Sequence, residues 1–368
     1  MLSRTADHLF WMARYTERAE NTARMLDVRI QYSLMPQSAS VAEQGWRSIL
    51  NVSELEEAFD ARHRAPMQKE VLDFMVRDPA NPSSIASCLT FARENARAVR
   101  GTLTTEVWET KNTTWIELQQ HLKSGVLERS PGEFLEWVKH RSHLARGVTL
   151  GTMLQDEALN VIRLGTFLER ADNVARILDV KFKFLAADTE TMKVGTQREF
   201  YYLAALLRSV SAFEIYRKVY RDAITPERVA ELLILQAKMP RSLTACLAGV
   251  VANLREVRND LSHETEALAG TLHATLQTAS IEDILEGGLH DFLTKFLAAI
   301  DDLGNRISSD FLLPALPKIE AEATVESAPP AAPEAPPAPV LAARISGQSQ
   351  SQGQSKQTQR RPVIIKRD

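Results

Sequence analysis

The chain has 368 residues, with 44 Lys+Arg against 47 Asp+Glu and a net charge of -3. At 44% hydrophobic and 25% charged it has the composition of a globular protein, which excludes wholesale disorder. Its slight acidity argues against a dedicated nucleic-acid binder, and its two cysteines, Cys88 and Cys246, are too few for a disulfide framework or a cysteine-rich zinc site. No secretory leader opens the chain and no run of about 20 apolar residues is long enough to span a membrane, so a cytoplasmic protein is expected.

Neither Pro nor Gly occurs between Trp11 and Met35, and apolar residues recur there every three or four positions. That pattern predicts a long first helix, with Ser3 at its N-cap and Pro36 closing it. Asp78-Pro79-Ala80-Asn81-Pro82 predicts a turn, after which Ser83 or Ser84 caps a helix through Phe91 and Val99. Gly101 interrupts before Trp108. Ser130-Pro131-Gly132-Glu133 combines capping-box spacing with proline in the first turn, a helix start. Residues 166–194 again lack Pro and Gly, and Thr225-Pro226-Glu227 and Pro240 mark later boundaries. Strand alternation is hardly visible. These breaks predict about ten helices between residues 3 and 313 and an all-α fold, a single large multi-helix bundle.

The composition changes after Pro317. Residues 327–340 are Pro/Ala-rich, residues 347–359 are Gly/Ser/Gln-rich, and no aromatic residue follows Phe311. Such a segment buries too little apolar surface to offset its ordering entropy, so 1–316 is expected to fold and 317–368 to be a disordered tail. The basic and apolar end, Arg360-Arg361-Pro362-Val363-Ile364-Ile365-Lys366-Arg367-Asp368, reads either as a solubilising terminus or as a docking peptide.

The most informative feature is a repeat. Residues 17–28 read Glu-Arg-Ala-Glu-Asn-Thr-Ala-Arg-Met-Leu-Asp-Val, and residues 169–180 read Glu-Arg-Ala-Asp-Asn-Val-Ala-Arg-Ile-Leu-Asp-Val. The offset of 152 is too long for a solenoid, so the chain reads as two related halves. Helical phasing puts Met12, Tyr15, Ala19, Ala23, Leu26 and Ile30 on one face, and Phe167, Ala171, Ala175, Leu178 and Phe182 on its counterpart. The alanines allow close helix approach. Glu17, Asn21 and Arg24 lie nearly opposite, as do Glu169, Asn173 and Arg176, with apolar neighbours that point to an internal polar strip. Glu20–Arg24 and Asp172–Arg176 are spaced for intrahelical pairs. A fainter third echo is Ala92-Arg93-Glu94-Asn95-Ala96-Arg97.

The candidate residues are therefore Glu17, Arg18, Glu20, Asn21 and Arg24, with Glu169, Arg170, Asp172, Asn173 and Arg176, and Glu94, Asn95 and Arg97 from the third echo. One reading is a buried ion-pair and amide network that docks the halves. The other is a polar cleft where arginines hold an anionic substrate and a glutamate handles protons. Mutual burial favours the first, and a cleft exposing both motifs favours the second.

These residues resemble the alpha-E family, bacterial all-helical domains named for a Glu-Arg motif. The resemblance begins at Leu2-Ser3-Arg4-Thr5-Ala6-Asp7 and Phe10-Trp11-Met12. It continues through Asn81-Pro82-Ser83-Ser84-Ile85, Glu106, Trp108 and Asn112, then Asp156-Glu157 and Pro240-Arg241-Ser242. Ala13 departs from the usual glycine, although Gly165 keeps it, and Thr166 replaces a common arginine, which leaves Arg14 without a twin. The resemblance implies association with circularly permuted ATP-grasp and transglutaminase-like proteins, hence a role in forming or remodelling peptide amide bonds. The family's own chemistry is unassigned.

No Gly-rich phosphate loop or G-x-S-x-G elbow occurs. Glu117–His121, Glu136–His140 and Glu286–His290 are one residue too long for di-iron ligation. Asp60–His63 and Asp260–His263 have the shorter spacing but carry aspartate, so neither metal nor cofactor is expected. Cys88 and Cys246 read as buried thiols, and Trp108 and Trp115 as core. Two functions remain. The chain is an accessory or scaffold component of a peptide amide-ligation system, or it is an enzyme of that system using Glu17 or Glu169.

Overall fold

The computed structural model describes residues 1–187 and 196–312, which belong to one compact unit; the expectations for 317–368 lie outside the described residues. Among the described residues there are sixteen helices and no strand. The first eight are α1 (Ser3–Ser33), α2 (Ala39–Val52), α3 (Glu56–Asp60), α4 (Gln68–Val76), α5 (Ile85–Ala98), α6 (Thr105–Ser124), α7 (Val126–Arg129) and α8 (Pro131–Thr152). The next eight are α9 (Glu157–Ala187), α10 (Gln197–Ser209), α11 (Phe213–Tyr220), α12 (Pro226–Ile234), α13 (Leu243–Glu256), α14 (His263–Thr278), α15 (Ile281–Glu286) and α16 (Leu289–Phe311). The expected count of about ten falls short because α3, α7, α11 and α15 are only four to eight residues long. Three of them also lack a side-chain cap, so sequence punctuation does not mark them.

Polar caps start many of the others. Ser84 accepts from the Ser87 amide at the head of α5, Thr225 from Arg228 at α12, and Ser242 from Ala245 at α13. Two expected caps fail. Ser3 is already helical, with Leu2 in the cap position and no capping side chain. Ser130 precedes α8 but its hydroxyl makes no cap bond; its carbonyl accepts from the Glu133 amide at 3.1 Å instead, so no capping box forms. α1 stops at Ser33, short of Pro36.

The second eight helices repeat the first. α1 and α9 each have 31 residues and α5 and α13 each have 14. α1 packs on α5 and α8, and α9 correspondingly on α13 and α16. Each half also reaches into the other, α2 lying on α9 and α10 on α1. The correspondence extends to backbone detail. Glu54 after α2 (φ 54°) and Ser211 after α10 (φ 56°) both adopt the left-handed conformation that non-glycine residues seldom take. Cys88 and Cys246 occupy matching places, and burial pushes both thiols up to about 12, so neither is a ready nucleophile.

The two long helices form the centre. Ala19, Ala23 and Leu26 of α1 and Ala171, Ala175 and Leu178 of α9 are fully buried. Gly165 meets Ala13 and, further along, residues 169 and 170 meet 18 and 17, all at or within one residue of the repeat offset, so α1 and α9 run side by side in the same direction and in register. At one end Gly165 meets α1 so closely that an added Cβ would lie 2.5 Å from the Phe10 carbonyl oxygen and 3.3 Å from the Ala13 Cβ. Glycine on one helix thus suffices for the approach, and its partner position tolerates Ala13. Among the described residues no helix is long and apolar enough to cross a membrane.

Gly165→Ala is expected to destabilise the protein by about 1–3 kcal/mol, because a backbone carbonyl cannot yield to the new methyl. Ala13→Gly is expected to cost no more than about 1 kcal/mol, the helix-propensity difference. Urea unfolding of both variants checks the order; equal losses would contradict the close approach at Gly165.

Candidate functional site

Near the middle of the α1–α9 contact the two Glu-Arg dipeptides exchange partners. Arg170 donates to Glu17 through Nε (2.9 Å) and Nη2 (3.1 Å). Arg18 donates to Glu169 through the same two nitrogens, at 2.5 and 3.1 Å. Each carboxylate is held two-pronged by the arginine that follows its counterpart, a planar match that lysine could not make. Glu17 is 2% exposed and Glu169 3%. Glu17, Glu169 and Arg170 are buried and Arg18 is partly exposed; the motifs pair with each other rather than opening into one shared cleft, although each flank borders a cavity.

Around Glu17 the network is rich in cations. Arg241, in the turn before α13, donates to Glu17 (2.8 Å), Glu20 (2.6 Å) and the Asn21 side-chain Oδ1 (3.2 Å). Arg146 of α8 reaches Glu17 at 3.0 Å and also Glu20. Arg24 closes on Glu20 at 2.6 Å, the intrahelical pair its spacing predicts, and His143 stands 3.4 Å from the same carboxylate. Four arginines face two carboxylates.

The opposite flank is leaner. Arg14 joins Arg18 on Glu169, at 2.7 Å, and Arg176 pairs with Asp172 at 2.9 Å and with Glu54. Thr166 occupies the place of Arg14 in the second half and has no charge to offer Glu17, whose extra cations come from α8 and the α13 turn instead. The turn before α5 carries Ser83 where the turn before α13 carries Arg241, and the Ser83 hydroxyl accepts from Arg18 at 3.3 Å. Short side chains there leave a polar cavity of about 270 Å³ lined by Glu169, Asp172, Asn173 and Arg176.

These surroundings set the ionisation. Burial pushes the Glu17 carboxyl up, but Arg170 and Arg241 outweigh it and hold the group at about 2. Burial likewise opposes ionisation of Glu20, and His143, Arg241, Arg146 and Arg24 together drive it far below the usual range. Glu169 is lowered against its burial by Arg14 and Arg18. Asp172 alone goes the other way: burial raises it despite Arg176. The paired glutamates are fixed anions at neutral pH and poorly matched to proton transfer.

A second cavity, about 330 Å³, lies on the Glu17 flank between α1, α6, α8 and α9. Arg146, Arg163, Arg170 and Lys111 contribute positive charge to its wall, and Glu17 is the one carboxylate there among the described residues. Lys111 of α6 is buried, and its ammonium donates to the Thr16 hydroxyl at 2.5 Å. Burial, with Arg146 nearby, lowers this lysine to about 7.

The third echo does not join the network, a correction to the expected set. Glu94 is half exposed and pairs with its own neighbours Arg93 and Arg97, and Arg97 is exposed. Asn95 bonds His8 at 2.7 Å and the Phe91 carbonyl at 2.8 Å. Glu94 and Arg97 thus stay outside the network, and Asn95 meets the first turns of α1 instead. Among the described residues no three His, Cys, Asp or Glu side chains gather as a metal site.

Sequence reasoning missed Arg146, Arg241, His143 and Lys111 as members. Arg241 stood in a motif already noted, and Lys111 carried a signal of its own. It falls in register with Val107, Thr114 and Leu118, the buried stripe of α6, where a charge is out of place. Arg146 and His143 carried no such mark.

Residues 1–312 match the model of the Alpha-E family, described as a predicted alpha-helical domain with a conserved ER motif. The Glu17-Arg18 and Glu169-Arg170 dipeptides are two instances of that pairing. Uncharacterised proteins of Mycobacterium bovis and Mycobacterium tuberculosis are 24% identical over 323 residues, covering 81% of this chain and 35% of each relative. The chain thus spans about a third of the length of the curated relatives it matches. No solved structure matches it.

Glu17→Gln leaves Arg170 buried without its carboxylate and Arg241 with Glu20 alone, and is expected to cost about 3–5 kcal/mol at neutral pH. Because the folded-state carboxyl is depressed, its stabilisation is present above the ordinary value of 4.5 and is lost as pH falls from there towards about 2. Urea unfolding across pH 2 to 7 is expected to show a smaller acid loss in the variant than in the parent. Parallel curves would mean that Glu17 is not the carboxylate that carries this pH dependence.

Proposed function

The chain belongs to the alpha-E family, and on that premise we propose that it is a non-catalytic accessory component of a cytoplasmic peptide amide-ligation system. In this reading it holds an ATP-grasp or transglutaminase-like protein, or the peptide they modify, against a helical surface. The observation that carries it is the mutual pairing of the two Glu-Arg motifs, with both carboxylates buried. Their carboxylates are locked by arginines and stay ionised far below neutral pH, so the residues best suited by type to acid–base work serve to join the halves. The greater length of the mycobacterial relatives is compatible with a module that works beside other domains. The cationic wall of the 330 Å³ cavity offers such a module a place for an anionic group.

Lys111 favours one second reading, an enzyme whose proton carrier is an amine. A lysine buried in a cavity, near half-deprotonated at neutral pH and bonded to a hydroxyl, has the chemistry of a general base or nucleophile.

Reconstitution with the ATP-grasp and transglutaminase-like partners separates the two. For an accessory protein, Glu17→Gln assayed below its melting temperature is expected to lower stability while leaving partner-dependent peptide modification intact. Lost turnover at an unchanged melting temperature would overturn the accessory role. Lys111→Met is expected to leave turnover unchanged as well and to remove part of the rise in stability between pH 7 and 10.5. Over that interval the unfolded lysine holds a proton that the folded one has released, so stability climbs with pH in the parent. Abolished turnover in a stable Lys111→Met protein would instead establish the enzyme. Deletion after Pro317 is expected to preserve the fold and weaken partner binding; unchanged binding would remove the docking role of that segment.

A further inference from the structure

A third cavity lies away from the Glu-Arg pairs, between α1, α2, α9 and α10 towards the C-terminal ends of the two long helices. Its wall is built from matched residues of the two halves. From α1 and α9 come Met25 with Ile177, Arg29 with Lys181, and Tyr32 with Phe184, each pair at the repeat offset of 152. From α2 and α10 come Ser48 with Ala205 and Ile49 with Leu206, each at an offset of 157. A cavity whose walls correspond in this way straddles the local twofold axis relating the halves. Two basic side chains consequently face one space from opposite sides.

Neither has an acid to pair with among the described residues. Among the described residues no carboxylate lies within ion-pair distance of Arg29 or Lys181, although the chain supplies carboxylates to most of its other enclosed arginines. Arg29 is 6% exposed, donates from Nη2 to the Ala42 carbonyl at 2.8 Å, and leaves its buried Nε without any partner. Its guanidinium lies over the Trp46 ring and directly against Gly45, where any Cβ would collide with it. Lys181 donates to the Ser48 hydroxyl at 3.0 Å and sits over the Tyr202 ring. Burial depresses Arg29, and burial together with Arg29 lowers Lys181 to about 8, as expected for like charges enclosed together. Two such cations close together with no counter-charge among the described residues are costly, and the orphan buried Nε of Arg29 adds to that cost.

We propose that this cavity binds a free short-chain carboxylate, its two oxygens bridging Arg29 and Lys181 and its alkyl part resting on Met25, Ile49, Ile177 and Leu206. The cavity volume of about 60 Å³ corresponds to roughly four water positions, room for a carboxylate and two or three carbons. Phosphate is disfavoured because the mostly hydrocarbon wall would leave several of its oxygens without donors. The ligand would tie the two halves together at the opposite end from Gly165, with the Glu-Arg exchange between them.

Titration of the full chain with butyrate, followed by calorimetry and thermal melting, tests the proposal. One saturable site per chain and a rise in melting temperature with butyrate concentration are expected, with n-butanol at equal concentration giving neither. Lys181→Met removes a like charge from the interior and so is expected to fold, yet to bind butyrate at least about tenfold more weakly. Arg29→Met is expected to lose binding further. Butyrate that fails to bind the parent, or binds Lys181→Met as tightly as the parent, overturns the proposal. So does inorganic phosphate binding at least as tightly as butyrate, which would identify a general anion site without an alkyl subsite.

Discussion

Glu17 of α1 is gripped by Arg170 of α9, and Glu169 of α9 by Arg18 of α1, each through two nitrogens and with both carboxylates buried. The exchange fixes more than proximity. A slip of one helix along the other by a single turn would break both cross-pairs at once. Removing one member of a buried pair costs several kcal/mol, whereas an apolar contact of similar size would tolerate some sliding. The dipeptide therefore acts as a register mark, and because each half supplies both an acid and a base, one mark serves both directions.

Such reciprocity is the geometry of a twofold-related pair, in which residue i meets j and j meets i. Here both halves belong to one chain, so they are free to diverge, and they have. Arg241 fills the Glu17 flank where Ser83 leaves its counterpart open, and Arg14 serves Glu169 where Thr166 cannot serve Glu17. The result is one flank with surplus positive charge and an adjoining cavity, and another with near balance and a polar hollow. Any ligand that distinguishes the two faces would do so through these substitutions, because the central pairs are the same in both.

Enclosure also decides what the network can do. The arginines that fix the glutamates lower their proton affinity too far for acid–base exchange near neutrality, so structural strength and catalytic aptitude exclude each other at these carboxylates. Groups with chemistry left over lie just outside the pairs. Asp172 and Lys111 each border a cavity, and each is displaced towards its neutral form by burial. The functional surface of this protein is therefore better sought on the flanks of the motif than in the motif.

Much of this was legible in the residues alone, for reasons of range. The two 31-residue helices, their alanine stripes, the duplication and the pairs Glu20–Arg24 and Asp172–Arg176 follow from local periodicity, which one chain segment carries in full. The short helices α3, α7 and α11 escaped notice because no capping side chain marks their starts, and α15, although capped by Ser280, because six residues carry little periodicity. The third echo at Glu94 misled because likeness of residue types does not specify which side of a helix meets the core. Which arginine would take which glutamate, that Arg146 and Arg241 would converge on Glu17 from 129 and 224 positions away, and that Arg29 and Lys181 would share one enclosed space had no local signature. Those outcomes depend on how the halves dock, and docking is a balance of burial and pairing over surfaces that no single stretch of chain contains.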